Sequence, residues 1–136
     1  MKYLVDANVL SEPTKPAPDP RVAAWLRTNE PHLAIDPVIL GELQFGILIL
    51  PAGRKRAALE RWFSAGVGRL QCLPWSAETG LKWADLLARL RRTGKAMPVK
   101  DSLIAATALM HDLTVATRNR ADYVHAGVRI VDPFSA

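Results

Sequence analysis

Short apolar segments alternate along this chain with longer segments in which apolar residues recur at helical spacing. The short segments predict five β-strands, over residues 2–5, 33–35, 70–73, 114–117 and 128–131. Strands separated by helices pair in parallel and carry helices on both faces of the sheet. The pattern therefore predicts one α/β domain over residues 1–136, with a mainly parallel central sheet.

Capping residues mark where the helices begin. Asp19-Pro20 and Asp36-Pro37 each precede an apolar segment of helical period, as expected for an Asp N-cap followed by proline at the first helical position. Ser76 is predicted to cap a third helix, which ends at Gly94. Asp36 is interpreted as this kind of cap, although it also follows a predicted strand.

Composition bounds the class of protein. The chain has 136 residues, of which 49% are apolar and 23% charged, which is typical of an ordinary globular domain with a hydrophobic core. It has no apolar run of the roughly 18 residues that a membrane span needs, and no signal-peptide pattern, so we expect a soluble cytoplasmic protein without membrane contact. The single cysteine, Cys72, excludes an internal disulfide and a cysteine-based zinc site.

The net charge is +5 at pH 7, which favours a polyanionic partner such as nucleic acid. A parallel sheet binds its ligands outside the carboxyl ends of its strands, and the placement of four acidic residues is therefore informative. Asp6 follows the first strand and Asp122 follows the fourth. Asp101 opens the apolar helix before the fourth strand, and Glu42 is the only acid in the apolar helix from Pro37 to Leu50.

Each acid also has a purely structural interpretation. Asp101 suits a helix N-cap, Asp122 suits a turn, and Asp6 suits the cap of a short turn. Glu42 is harder to explain in this way, because a carboxylate on a largely buried helix costs on the order of several kcal/mol unless it is paired or binds a metal. Basic residues are scarce near Glu42 in the sequence.

A bound cation would offset that cost and let the four carboxylates share one pocket. Ligation by oxygen alone suits Mg²⁺ or Mn²⁺ rather than zinc. The reaction that uses such a pocket is phosphodiester hydrolysis, in which the cation activates a water and stabilises the leaving oxygen. A basic protein with an acidic pocket fits this chemistry, because basic flanks hold the polyanion while the acids hold the metal.

Four segments in order resemble the motifs of PIN-domain nucleases, in particular the VapC-like toxin branch that includes FitB-type proteins. The opening Asp-x-Asn motif is matched by "LVDANVLSE", the central Glu segment by "ILGELQFGI" and the helix-opening Asp by "VKDSLIAATAL". The closing signature is matched by "TVATRNRADY", with "GVRIVDPF" as the last strand. The resemblance covers nearly the whole chain.

The resemblance implies a PIN-like α/β/α sandwich and a Mg²⁺- or Mn²⁺-dependent endoribonuclease. It implies a toxin that cuts RNA, forms a homodimer, and is inhibited by a cognate VapB-like antitoxin in a hetero-oligomer. Operator DNA would be bound only through the antitoxin, whose tail would reach into the acidic pocket.

The resemblance also implies roles for individual residues. Asp6 and Asp101 would be the main direct metal ligands, Glu42 would reach the metal directly or through water, and Asp122 would complete the quartet. The remaining catalytic positions would fix the first loop and position the water or the phosphate: Asn8, Thr117 and Asn119. The chain departs from its relatives at Ala7, where many have Thr, and at Asn119, where some have the fourth acid.

Three basic residues beside these acids are candidates for holding an RNA phosphate: Arg118, Arg120 and Lys100. Each could instead pair with a neighbouring acid.

Two other functions stay open at the level of the sequence. A haloacid-dehalogenase-like phosphatase also begins with a strand running into Asp, but its second Asp would be Asn8 here, which cannot donate a proton in that role. A catalytically silent PIN-fold scaffold that binds RNA or protein is the second, and the presence of all four acids argues against it.

Overall fold

The central sheet is parallel throughout its five strands in residues 1–135, the part of the chain that the computed structural model describes. The strands are β1 (Tyr3–Val5), β2 (Leu33–Ile35), β3 (Gln71–Cys72), β4 (Thr114–Ala116) and β5 (Ile130–Val131). Their order across the sheet is β3-β2-β1-β4-β5. The predicted fold class and parallel sheet are confirmed, with each strand falling inside its predicted segment.

Helices flank this sheet. They are α1 (Ala7–Leu10), α2 (Pro20–Asn29), α3 (Pro37–Leu48), α4 (Arg54–Ala65), α5 (Ala77–Arg92), α6 (Val99–His111) and α7 (Arg120–Tyr123). Short 3-10 turns cover Glu12–Thr14, Glu30–His32 and Val67–Arg69. Along residues 1–135, none of the helices combines the length and apolar character needed to cross a membrane.

The predicted caps are present as side-chain hydrogen bonds. The Asp19 carboxylate accepts from the backbone N–H of Arg21 at 2.9 Å, and Ser76 forms a reciprocal capping box with Thr79. These bonds satisfy backbone donors that a helix leaves free in its first turn. The starts of these capped helices were therefore predictable from sequence, because capping depends only on residues within one turn.

The α3 helix is less buried than its apolar sequence indicated. Phe45 is 63% exposed, Leu48 51% and Ile49 65%, so the side of α3 away from the sheet faces outward. Ile39, Leu43 and Ile47 form the buried side. The prediction that α3 is largely buried is wrong.

The chain changes direction across the sheet at β1. From β1 it proceeds to β2 and β3 on one side, whereas β4 and β5 lie on the other. Such a switch point leaves a crevice at the carboxyl ends of the two strands that border it. Asp6 directly follows β1 and Thr117 directly follows β4, so this crevice contains the first candidate residues.

Asp36, which directly follows β2, connects this end of the strand to α6 by a side-chain hydrogen bond. Its carboxylate, 0% exposed, accepts from the Ile39 N–H at 2.9 Å and from the Thr107 hydroxyl at 2.7 Å. The interpretation of Asp36 as a helix cap is confirmed. The bond to Thr107 adds a tertiary contact between α3 and α6, the two helices that carry Glu42 and Asp101.

Asp36→Ala should lower the free energy of unfolding by about 2–4 kcal/mol, because it removes a cap and leaves the buried Thr107 hydroxyl without its acceptor. Asp19→Ala is the matched control, since it removes a more exposed Asp-Pro cap and should cost only about 1 kcal/mol. Urea denaturation followed by circular dichroism measures both. Adding Thr107→Val to Asp36→Ala should cost less than the sum of the single changes, and strict additivity would contradict the proposed link.

Candidate active site

Asp6 is a buried carboxylate held by neighbours from both sides of the switch point. It is 3% exposed, and it accepts hydrogen bonds from the Ala7 N–H and the Thr117 hydroxyl, both at 2.8 Å. Burial is the main influence on the pKa of Asp6 and raises it, although the bond from Thr117 acts in the opposite direction. Asp6 does cap α1, as its structural interpretation suggested, but its second oxygen faces the β4 loop.

The loops that follow β1 and β4 are fixed to each other by side chains. The Asn8 amide donates to Asp6 and to Thr117, both at 3.4 Å, and its carbonyl oxygen accepts from the Arg118 N–H at 3.0 Å. The Thr117 hydroxyl also accepts from the Asn119 N–H at 3.0 Å. The structure thus brings Asn8 and Thr117 to Asp6, with the Asn119 backbone joined to the same network.

Tyr123 joins Asp6 to Asp101, and the sequence assigned it no role. Its ring is 0% exposed, and its hydroxyl lies 3.3 Å from Asp6 Oδ2 and 3.4 Å from Asp101 Oδ1. Burial and the two carboxylates raise the pKa of Tyr123 well above its ordinary value, so the hydroxyl keeps its proton and acts as a donor. The only sequence signal was the aromatic residue that closes "TVATRNRADY".

Asp101 lies in the first turn of α6 and is 5% exposed. Pro98 occupies the N-cap position, so the interpretation of Asp101 as the cap is wrong. Burial, and after it the negative charge of Asp6, raise the pKa of Asp101 from 3.8 to about 6. Asp101 therefore carries a charge that its surroundings compensate poorly.

Glu42 is paired with a base that is distant in sequence. Its Oε2 accepts from Lys100 Nζ, which reaches it from α6, 58 residues further along the chain. The scarcity of bases near Glu42 in the sequence was therefore misleading. This pairing raises the pKa of Lys100. Among the contacts of residues 1–135, Glu42 Oε1 is buried and has no hydrogen-bond partner.

Asp122, Arg118 and Arg120 are more exposed than Asp6 and Asp101. Asp122 lies in α7 and is close enough to Asp101 to raise its pKa, yet within the described chain its carboxylate makes no hydrogen bond or ion pair. The Arg118 guanidinium carbon lies 4.6 Å from the centre of the Phe134 ring, a cation–π contact. Arg120 is exposed.

The side chains of residues 1–135 hold no group of three acidic, histidine or cysteine residues arranged to bind one metal ion. The donor chemistry nevertheless suits a hard cation. Asp6, Glu42 and Asp101 offer carboxylate oxygens alone, and the buried Glu42 Oε1 still needs a partner. Burial, together with neighbouring negative charge, raises the pKa values of Asp6 and Asp101, and a cation would offset both effects.

Comparison with known proteins assigns the chain to a family. The model of the PIN domain matches residues 3–127. The chain belongs to the PIN-domain family. The predicted resemblance is confirmed at the level of the family and of its VapC-like branch.

Two curated PIN relatives align over nearly their whole length. VapC ribonuclease Y4jK of Sinorhizobium fredii is 34% identical, over 96% of this chain and 96% of that protein. Toxin FitB of Neisseria gonorrhoeae is 32% identical, over 96% and 97%.

Solved structures agree with the PIN assignment. The crystal structure of FitAcB from Neisseria gonorrhoeae has a TM-score of 0.89 and 31% identity, covering 98% of this chain and 99% of that one. A structure of FitAB bound to an IR36 DNA fragment has a TM-score of 0.90 and 30% identity, covering 97% and 95%. The described sheet and flanking helices are thus those of a PIN fold.

The raised pKa of Asp101 predicts a pH-dependent stability in EDTA. Between pH 4 and pH 6, roughly, the folded protein still holds a proton that the unfolded chain has released, so the free energy of unfolding falls as pH rises through this window. Asp101→Asn removes this loss. The variant should match wild type near pH 4 and exceed it by about 1–3 kcal/mol at pH 7.

Urea denaturation at the two pH values measures the difference. Asp112→Asn is the matched control, because Asp112 lies at the other end of α6, is exposed, and pairs with Arg129. A gap between Asp101→Asn and wild type that does not change with pH would contradict the assignment.

Proposed function

We propose that this PIN-domain protein is an endoribonuclease, the toxin of a toxin–antitoxin pair, that hydrolyses RNA phosphodiester bonds with the help of Mg²⁺ or Mn²⁺. The observation that carries the proposal is the pair of buried carboxylates, Asp6 and Asp101, that share the Tyr123 hydroxyl at the switch point. Proteins named VapC ribonuclease and FitB toxin, similar over nearly the whole chain, support the same class of function.

We propose Asp6 and Asp101 as the direct metal ligands, with Glu42 and Asp122 completing an acidic quartet. A divalent cation supplies two kinds of help there: it lowers the pKa of a water and stabilises the leaving oxygen. Glu42 Oε1, which has no hydrogen-bond partner among residues 1–135, and the raised pKa of Asp101 support this assignment.

Other residues of the chain hold these acids and the substrate in place. Thr117 and Asn8 orient Asp6 by hydrogen bonds. The Asn119 backbone N–H joins the same network through the Thr117 hydroxyl. Arg118 and Arg120, which are both exposed, would hold an RNA phosphate beside the acids. The contact with Phe134 limits the movement of the Arg118 guanidinium without using its N–H donors.

We further propose a homodimer that assembles with a VapB-like antitoxin into a hetero-oligomer and contacts operator DNA only through that antitoxin. The structure of FitAB bound to a DNA fragment supports the pairing with an antitoxin and the link to DNA, because that structure contains a chain similar in fold to this one. A single domain over residues 1–136 and a cytoplasmic location remain predictions of the sequence.

Purified wild type should cleave mixed cellular RNA in Mg²⁺ or Mn²⁺ and lose this activity in EDTA. Asp101→Asn should lower cleavage by at least about 100-fold, since even residues that only support a metal ligand are typically worth about 10- to 100-fold. Asp112→Asn, at the far end of α6, should retain wild-type activity. Gel analysis of end-labelled RNA measures all three.

The same assay separates the other two functions. Hydrolysis of a small phosphomonoester without RNA cleavage would replace the nuclease by a phosphatase. Wild type that neither cleaves RNA nor binds Mg²⁺ or Mn²⁺ by calorimetry would replace it by a binding scaffold.

Asp122→Asn should lower cleavage by about 10-fold, less than Asp101→Asn, because Asp122 lies at the outer side of the site and acts on Asp101 through its charge. The dependence of cleavage on Mn²⁺ concentration should shift to higher metal. Unchanged activity at every Mn²⁺ concentration would remove Asp122 from the quartet.

A further inference from the structure

Lys100 lies within the acidic site, although its position in α6 is unfavourable for a base. It is the second residue of the helix, where the N-terminal end of the helix dipole disfavours positive charge. Its ammonium nevertheless turns to Glu42, and it also interacts with the charges of Asp6 and Asp101. The acids of the site therefore compensate for the local cost.

The Lys100–Glu42 pair occupies only half of the Glu42 carboxylate. Lys100 Nζ contacts Oε2, while Oε1 is buried and has no partner among residues 1–135. A single charge on a flexible side chain thus partly neutralises an acid that has remaining capacity for a cation. The Lys100 side chain is 50% exposed, so it can leave Glu42 without a change in the backbone.

We infer that Lys100 is an internal counter-ion that competes with the divalent cation for the Glu42 carboxylate and thereby weakens metal binding by the site. The inference rests on the proposed metal-dependent function. It adds a residue that weakens metal binding, whereas the ligands strengthen it. In the metal-free protein Lys100 stabilises Glu42. When metal binds, the lysine has to give up this contact, and the loss lowers the apparent affinity.

Titration calorimetry with Mn²⁺ alone tests the inference on four proteins: wild type, Lys100→Met, Glu42→Gln and the double variant. Lys100→Met should bind Mn²⁺ about two- to fivefold more tightly, the range expected when a partly exposed ion pair no longer has to be broken. In the Glu42→Gln background the same change should alter the affinity less than about twofold, because the ion pair is already absent.

Lys82→Met is the control for net charge. Lys82 lies on α5 and lines a cavity together with Asp85, Arg89 and Leu109. Its removal changes the charge of the protein by the same amount and should leave Mn²⁺ affinity unchanged.

Thermal melting gives a second measurement that does not depend on activity. In EDTA, Lys100→Met should melt at a lower temperature than wild type, because Glu42 loses its counter-ion. Saturating Mn²⁺ should raise the melting temperature of the variant by more than that of wild type.

Unchanged or weaker Mn²⁺ binding by Lys100→Met would overturn the inference. So would an equal gain in the Glu42→Gln background, which would mean that Lys100 acts only through its general charge, and so would a wild type that binds no Mn²⁺. The nuclease proposal fails separately: Mn²⁺ binding that responds to Lys100 as expected, without RNA cleavage by wild type, would overturn the nuclease and leave the inference standing.

Discussion

The burial of two carboxylates side by side is the constraint on which the rest of the site depends. Asp6 and Asp101 are both nearly inaccessible to solvent, and burial raises the pKa of each, with the charge of Asp6 adding to the rise at Asp101. Charges in such a position are tolerated only when hydrogen bonds or a counter-charge compensate them. Most of the polar contacts at the switch point supply this compensation, through Thr117, Asn8 and Tyr123.

The compensation of these charges is incomplete, and this has a consequence for function. Hydrogen bonds from neutral groups leave the net negative charge in place, and Lys100 neutralises part of one carboxylate. The remaining excess charge costs stability, and it is the feature that the proposed metal site would use. Sites of this kind give up stability for function, in agreement with the usual trade-off between stability and activity.

Local features were the most reliable guide to the fold. The starts of α2, α3 and α5 followed from Asp19, Asp36 and Ser76, because an N-cap bond joins residues two or three positions apart. Strand positions followed from short apolar runs, and their alternation with helices predicted the parallel sheet. The motif order also placed the chain in the PIN family. The exposed side of α3 was missed, since apolar content alone does not show which elements will cover a helix.

The sequence by itself determined the strands, the starts of α2, α3 and α5, the family and the identity of the candidate acids, because these depend on neighbouring residues and on motif spacing. Only the tertiary structure decided how the acids are compensated. Lys100 meets Glu42, and Tyr123 joins Asp6 to Asp101, because α3, α6 and α7 converge at the carboxyl ends of β1 and β4. Helix packing fixes such contacts between residues that are far apart along the chain, and no local pattern encodes them.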